Sequence, residues 1–288
     1  MDWERDLPDW PLSAQSRRIQ HRPHNWHVQE LGKGPLLLLL HGAGATTHTW
    51  RDLIPTLAKT HRVIALDLPG HGFTQAGSRF RLGLERTADD IAALCAAEGW
   101  HPSTLIGHSA GGAVALELSL RLTTPEGKPP AVIGINAALD RFEGMAGWLF
   151  PMLAKFLAMN PLTAMAFAAG GGRPDRARNV IRSTGSTLSE EGLAFYSRLL
   201  SDRAHVDGTL QMMAAWNTDG IWGRMPQVTA PCLLITGEKD GAVPPSVSER
   251  AAARLPNAKV QKLDGLGHLA HEEAPTEVTK IILDWLET

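Results

Sequence analysis

Cysteine and tyrosine are nearly absent: 288 residues include two cysteines, Cys95 and Cys232, and one tyrosine, Tyr196. One disulfide could form at most, and both cysteines fall in stretches that read as helix and strand interior. The expectation is two free buried thiols in a reducing, cytoplasmic setting. A basic excess is also missing. The formal net charge is −2, which argues against a general nucleic-acid binder, so no nucleic-acid partner is expected. Membrane-length apolar runs are lacking: Leu36 to Leu40 fits a buried strand and falls far short of the ~20 residues a membrane helix needs. No transmembrane segment is expected, and peripheral contact through an apolar patch stays open. The N-terminus, Met1-Asp-Trp-Glu-Arg-Asp-Leu-Pro-Asp-Trp10, is acidic without an apolar centre and does not read as a signal peptide. Neither G-x-x-x-x-G-K nor G-x-G-x-x-G occurs, and the groupings His21/His24/His27 and His268/His271/Glu272 fit no zinc pattern. No cofactor and no metal are expected.

What is present organises readily. Residues 1–22 are polar and aperiodic and read as an extended arm packed on the body. Residues 26–31 alternate as a strand, Gly32 to Pro35 is a turn, and Pro35 to Leu40 is a fully buried strand ending in the glycine-rich turn His41-Gly-Ala-Gly44. A helix is expected over 49–59, a strand over 62–67, a helix over 85–98 with Ile91 and Leu94 on one face, a strand over 103–107, a helix over 110–122 and a strand over 131–135. Continuous apolar strands alternating with helices imply a parallel sheet covered on both faces. From 137 to 228 no strand is evident; Ala, Met, Leu and Trp recur at helical spacings, and a helical cap insertion is expected. The rhythm resumes with strands at 231–237 and 258–263 and helices at 246–255 and 275–286. The implied organisation is an arm (1–22), a first core part (23–136), the cap (137–228) and a second core part (229–288).

Gly107-His-Ser-Ala-Gly111 matches G-x-S-x-G, with a strand running into it and a helix running out, the context in which a serine is held on a tight bend. A serine hydroxyl needs a base. His268, directly after the glycine turn Gly265-Leu-Gly267, is the favoured one and His271 the competitor. For the acid, Asp240 follows the penultimate strand, with Glu238 as the near alternative and Asp140 as a possible substitute. Asp67 reads as a turn residue. The oxyanion hole is expected from the N–H groups of Ala43 and Ala110. His41, Gly42, His108, Trp148, Met212 and Trp216 are candidates for an apolar substrate pocket, although Met and aromatic stripes are more often simply core. Phe150, Met152, Phe156, Phe167 and Met213 belong to the same stripe. Arg141, Arg173 and Arg182 could anchor a carboxylate or be solvated surface. Nine tryptophans could likewise line a site for a large flat ligand, but core filling explains them more simply.

These motifs resemble the α/β-hydrolase superfamily over residues 24–288, which implies an eight-stranded, mostly parallel sheet with helices on both faces. The chain order Ser109, Asp240, His268 is the one expected for that fold. Asp2-Trp-Glu-Arg-Asp6, Asp9-Trp-Pro11 and Ser16-Arg17 further resemble the magnesium-chelatase accessory (BchO) family of bacteriochlorophyll biosynthesis. So do His41 to Asp52, Asn136-Ala-Ala-Leu139, Gly185-Ser186, His205-Val206, Met212-Met213, Trp216-Asn217 and Gly265 to Glu273. That resemblance implies a photosynthetic bacterium and a role near magnesium insertion, with a tetrapyrrole and magnesium chelatase subunits as candidate partners. It supplies no reaction, because protoporphyrin has carboxylates and no ester. The first expectation is a serine hydrolase of a hydrophobic ester, thioester or related acyl compound. The alternatives are a carbon–carbon bond hydrolase with the same three residues and a non-catalytic tetrapyrrole-binding accessory. Dehalogenases are set aside, because they need a carboxylate where Ser109 stands.

Overall fold

The structure is a computed structural model and describes residues 1–140 and 174–287. Its sheet contains β1 (Ser16–His21), β2 (His24–Leu31), β3 (Leu36–Leu40), β4 (Arg62–Leu66), β5 (Thr104–His108), β6 (Ala131–Ile135), β7 (Cys232–Gly237) and β8 (Ala258–Leu263). The order across the sheet is β1-β2-β4-β3-β5-β6-β7-β8. β2 runs antiparallel to both of its neighbours, β1 at the edge and β4, and the remaining neighbours are parallel. This is the expected α/β-hydrolase fold.

The five consecutive leucines of β3 show why such a run is a strand. Alternation sends Leu36, Leu38 and Leu40 to one face and Leu37 and Leu39 to the other, and all five are buried. After the short helices α1 (Trp3–Asp6) and α2 (Ile54–Leu57) come α3 (Leu84–Glu98) and α4 (Ala110–Ser119). Ile91 and Leu94 of α3 and Val114 and Leu118 of α4 cover the first face. Trp50 covers the second. Each leucine so enclosed contributes about 1.5–3 kcal/mol of transfer free energy, so a strand packed on two sides holds the centre of the sheet firmly.

Between β6 and β7 the described residues form α5 (Pro174–Ser183), α6 (Glu190–Ser201), α7 (Arg203–Ala215) and α8 (Asp219–Arg224), with no strand among them. The chain closes with α9 (Pro245–Ala252), α10 (Ala270–Glu273) and α11 (Pro275–Leu286), the last adding Val278 and Ile282 to the second face. Ala177, Ile181, Leu188, Leu193 and Tyr196 from this region pack with Ala45 and Leu269, which flank the ends of β3 and β8.

Two expectations need correction. The segment 1–22 is not wholly an arm outside the sheet: Ser16–His21 pairs with β2 as an edge strand. Only Ile19 of it is buried, so the alternation that betrays a strand is missing from the sequence. Ahead of it, Trp10 packs edge-on against Phe73, His48 and Phe195, and Arg198 of α6 donates to Asp6. The helix expected over 49–59 is instead a 3-10 turn at Thr47–Trp50 followed by the four-residue α2. Pro55 lacks an N–H to continue a helix and is tolerated only in its first turn, which is where it sits.

Candidate functional site

The loops leaving β3, β5, β6, β7 and β8 converge at the C-terminal ends of the parallel strands, the edge at which open α/β sheets build sites. Ser109 lies between β5 and α4 with φ 51° and ψ −117°, a region a side chain occupies at a cost. Flanking glycines make the bend feasible. A Cβ on Gly107 would lie 2.2 Å from Gly111 O, and one on Gly111 would lie 2.1 Å from Leu40 O. Both contacts are with backbone, so neither position has room for a side chain.

His268, after β8, is linked to Asp240, after β7, by a 2.8 Å hydrogen bond from Nδ1 to Oδ2. The Asp240 carboxylate is fully engaged: Oδ1 accepts from the N–H groups of Ala242 and Val243 at 2.8 Å each, and Oδ2 also accepts from Asn136 Nδ2 at 2.7 Å. The alternatives lie in other contacts. Asp140 pairs with Arg250, Glu238 accepts a long 3.5 Å bond from Gly265, and His271 Nε2 meets Thr49 Oγ1 at 2.7 Å. Thr49 Oγ1 donates in turn to Glu272, a buried carboxylate that also takes Arg51 Nη1 and Tyr196 Oη at 2.6 Å each. Burial holds Glu272 above the usual carboxylate range despite the facing guanidinium.

Ala110 opens α4, so its N–H has no partner within the helix; it is buried, whereas Ala43 is exposed. No backbone acceptor among the described residues takes either N–H. Gly42 lies against the serine: a Cβ there would be 3.0 Å from Ser109 Cβ. His41 spends both ring nitrogens within the protein, Nδ1 donating to Gly42 O and Nε2 accepting from Leu68 N–H. His108 Nε2 donates to His268 O at 3.0 Å. Met212 is buried in the cluster that holds Ile221 and Met225, and Trp216 is half-buried against it. Arg182 is exposed. Trp148, Phe150, Met152, Phe156, Phe167, Arg141 and Arg173 lie outside the described residues.

Buried imidazoles surround the turn after β3. Burial pushes His205 down to about 4 and His271 to about 3, and holds His41, His48, His71 and His108 low as well. The contacts of His205 suit a neutral ring: Nδ1 accepts from Gly72 N–H and Nε2 donates to Gly44 O. A hydrogen-bonded Ser-His-Asp chain lies elsewhere in the fold. His27 Nδ1 meets Asp67 Oδ2 at 2.7 Å, and its Nε2 meets Ser16 Oγ at 3.0 Å. Ser16 opens an edge strand in extended backbone and also accepts from Gln29 Nε2, while Asp67 binds the N–H groups of Thr47 and Phe73. That chain fastens β1 and two turns, whereas Ser109 stands on a strained bend at the N-terminus of α4.

In the sequence, Asn136, Gly185 and Ser186 stand out only through family resemblance, which gives them no role, and Thr184 does not stand out. Thr184 O accepts from both Gly241 N–H (3.0 Å) and His268 N–H (3.3 Å), and Ser186 Oγ accepts from Leu269 N–H (2.8 Å). Gly185, at φ 82°, passes so close to the acid loop that a Cβ would lie 1.9 Å from Lys239 O.

A sequence profile of the alpha/beta hydrolase fold matches residues 35–275. The chain belongs to the α/β-hydrolase fold family. It is 45% identical over 286 residues to the magnesium-chelatase 30 kDa subunit of Rhodobacter capsulatus, covering 98% of this chain and 99% of that one. It is 29% identical over 273 residues to the pimeloyl-[acyl-carrier protein] methyl ester esterase of Xanthomonas campestris pv. campestris (strain B100), covering 87% and 96%. Among solved structures, the putative lipase of Acinetobacter baumannii AYE superposes with a TM-score of 0.79 at 20% identity, covering 99% and 96%, a likeness of fold alone. No helix among the described residues of this hydrolase-fold chain is long and apolar enough to cross a membrane.

Proposed function

We propose that this α/β-hydrolase-fold protein is a serine hydrolase of a hydrophobic ester, thioester or related acyl compound, working in the cytoplasm beside the magnesium chelatase step of bacteriochlorophyll synthesis. Ser109 attacks the acyl carbon. His268 takes the hydroxyl proton and returns it to the leaving group. Asp240 holds the imidazole with Nδ1–H toward itself and stabilises the imidazolium. The N–H groups of Ala43 and Ala110 receive the oxyanion. The insertion of residues 137–228, between core parts 23–136 and 229–288, serves as a cap over this site, and residues 1–15, ahead of β1, form an arm packed alongside. The observation that carries the reading is Ser109 on its strained bend together with the His268–Asp240 hydrogen bond. Strained backbone of this kind clusters at active sites, which supports a reactive role for the serine.

Labelling by a fluorophosphonate probe tests it. The native chain should label stoichiometrically, and Ser109→Ala should not label while keeping its fold. A folded native chain that stays unlabelled, or a variant that labels as well as the native one, sinks the assignment. The name of the Rhodobacter relative favours a second reading, a tetrapyrrole-binding accessory of the chelatase. Quenching of tryptophan fluorescence by micromolar protoporphyrin, without turnover of any ester, would support that reading instead. Carbon–carbon bond hydrolysis by the same three residues is separated from ester hydrolysis only by substrate screening.

A further inference from the structure

We infer that Asn136 is a positioning residue that sets the acid and the base relative to the nucleophile, an inference that rests on the serine-hydrolase reading. Asn136 follows β6 in the left-handed region, φ 47°, which among non-glycine residues Asn and Asp adopt most readily. The backbone on either side of it grips the serine. Ser109 N–H donates to Ile135 O at 3.0 Å, and Ala138 N–H donates to Ser109 O at 3.0 Å. Its own N–H donates to Ile235 O of β7 at 2.7 Å. Its fully buried side chain then turns to the other two groups: Nδ2 donates to Asp240 Oδ2 at 2.7 Å and, more weakly, to Gly267 O at 3.4 Å, one residue before His268. One short turn is thus bonded to the nucleophile's backbone, to the acid and to the loop that carries the base.

The residue type fits the task. Asp240 Oδ2 receives two N–H groups, from His268 and Asn136, while Oδ1 is held by two backbone N–H groups. Without Asn136 the oxygen that orients His268 keeps only His268 itself, and the carboxylate is free to tilt. Two amide hydrogens supply both donations, whereas an ionised carboxylate supplies none. Asn136 Oδ1 is buried without a partner, so the side chain is retained by what it donates. The titratable groups facing this cluster are Asp240 and His268, with His108 donating to His268 O, His271 stacked 4.5 Å from His108, and Glu273 accepting from Gly267 N–H.

The test uses the full chain and the rate at which a fluorophosphonate labels Ser109. Asn136→Gly keeps the left-handed backbone accessible and removes the donor; labelling should slow on the order of 100-fold, the cost of misplacing a reacting group by about 1 Å. Asn136→Asp is nearly isosteric. Its carboxyl stands against Asp240 and can donate only when protonated, so the ratio of variant to native labelling rate should climb as pH is lowered. A residue that merely fills space gives a ratio flat in pH. The hydrogen-bonded Nδ1 proton of His268, read by low-field proton NMR, reports on positioning without any help from Ser109, and it should shift or broaden in both variants. Native-rate labelling of Asn136→Gly, a pH-independent ratio, or an unmoved His268 proton each overturns the inference. A native chain that never labels overturns the hydrolase reading, and the NMR signal then decides on Asn136 by itself.

Discussion

His205 ties the turn after β3 to α7, and acid should cut that tie. With Nδ1 accepting from Gly72 N–H and Nε2 donating to Gly44 O, a second proton on the ring has no acceptor to meet. Burial accordingly holds the folded ring at about 4, against 6.5 for an ordinary histidine. The unfolded chain therefore binds more protons between those values. The ring's contribution to stability is complete above pH 6.5, declines as pH falls, and is gone below about 4. Between pH 7 and pH 5 alone the loss amounts to about 2 kcal/mol. His205→Gln keeps one acceptor and one donor but does not titrate. Urea unfolding of both proteins at pH 7 and pH 5 isolates this ring, because the other buried histidines titrate in each and cancel in the difference. The native protein should lose about 2 kcal/mol more than the variant. Equal losses would mean that His205 is not a buried neutral ring, and the account of how the turn is held would be wrong.

Three further outcomes follow from the same geometry. Glu272→Ala removes the partner of the nearly buried Arg51 along with the acceptor for Thr49 and Tyr196, and should cost about 3–5 kcal/mol in chemical denaturation; a loss under about 1 kcal/mol would show that water reaches the guanidinium. Gly185→Ala puts a methyl where Lys239 O already is, at a backbone angle that resists a side chain, so fluorophosphonate labelling of Ser109 should fall at least about tenfold as the acid and histidine loops shift; an unchanged rate would disconnect that turn from the site. Asp6, which accepts from the Arg5 guanidinium and is opposed by its own burial, titrates at about 2, below the ordinary 3.8. Its stabilisation is present above pH 3.8 and lost as pH falls through about 2, and Asp6→Asn should expose residues 1–15, ahead of β1, to protease at neutral pH. Identical cleavage of both proteins would show that Asp6 is not what holds these residues.

The sequence disclosed what repeats along the chain. Five leucines in a row, bounded by a proline and a glycine turn, fit a strand buried on both faces, and G-x-S-x-G between a strand and a helix marked the turn on which Ser109 stands. Chain order and glycine turns singled out Asp240 and His268, and the structure joins the two by a hydrogen bond. What stayed hidden depends on pairing between distant segments. β1 buries a single apolar side chain, so its strand character comes from β2 and not from its own pattern. Pro55 reset a helix that apolar spacing alone suggested was longer. Asn136 and Thr184 act through a side-chain amide and a main-chain carbonyl on partners 104 and 84 residues away, Asp240 and His268, and no local periodicity records such bonds.

The carbonyl of Thr184 bears on how such a protein can change. It receives an N–H from the loop that carries Asp240 and another from the loop that carries His268, so the insertion between β6 and β7 braces both loops. Grafting a foreign insertion of matching length onto these strands would leave two main-chain donors and the Leu269 N–H without acceptors, and the graft would have to replace all three before pocket shape mattered. Exchange of the whole segment is therefore a poor route to new specificity in this chain. Substitutions that keep residues 184–186 in place and alter the helices around them are the open one.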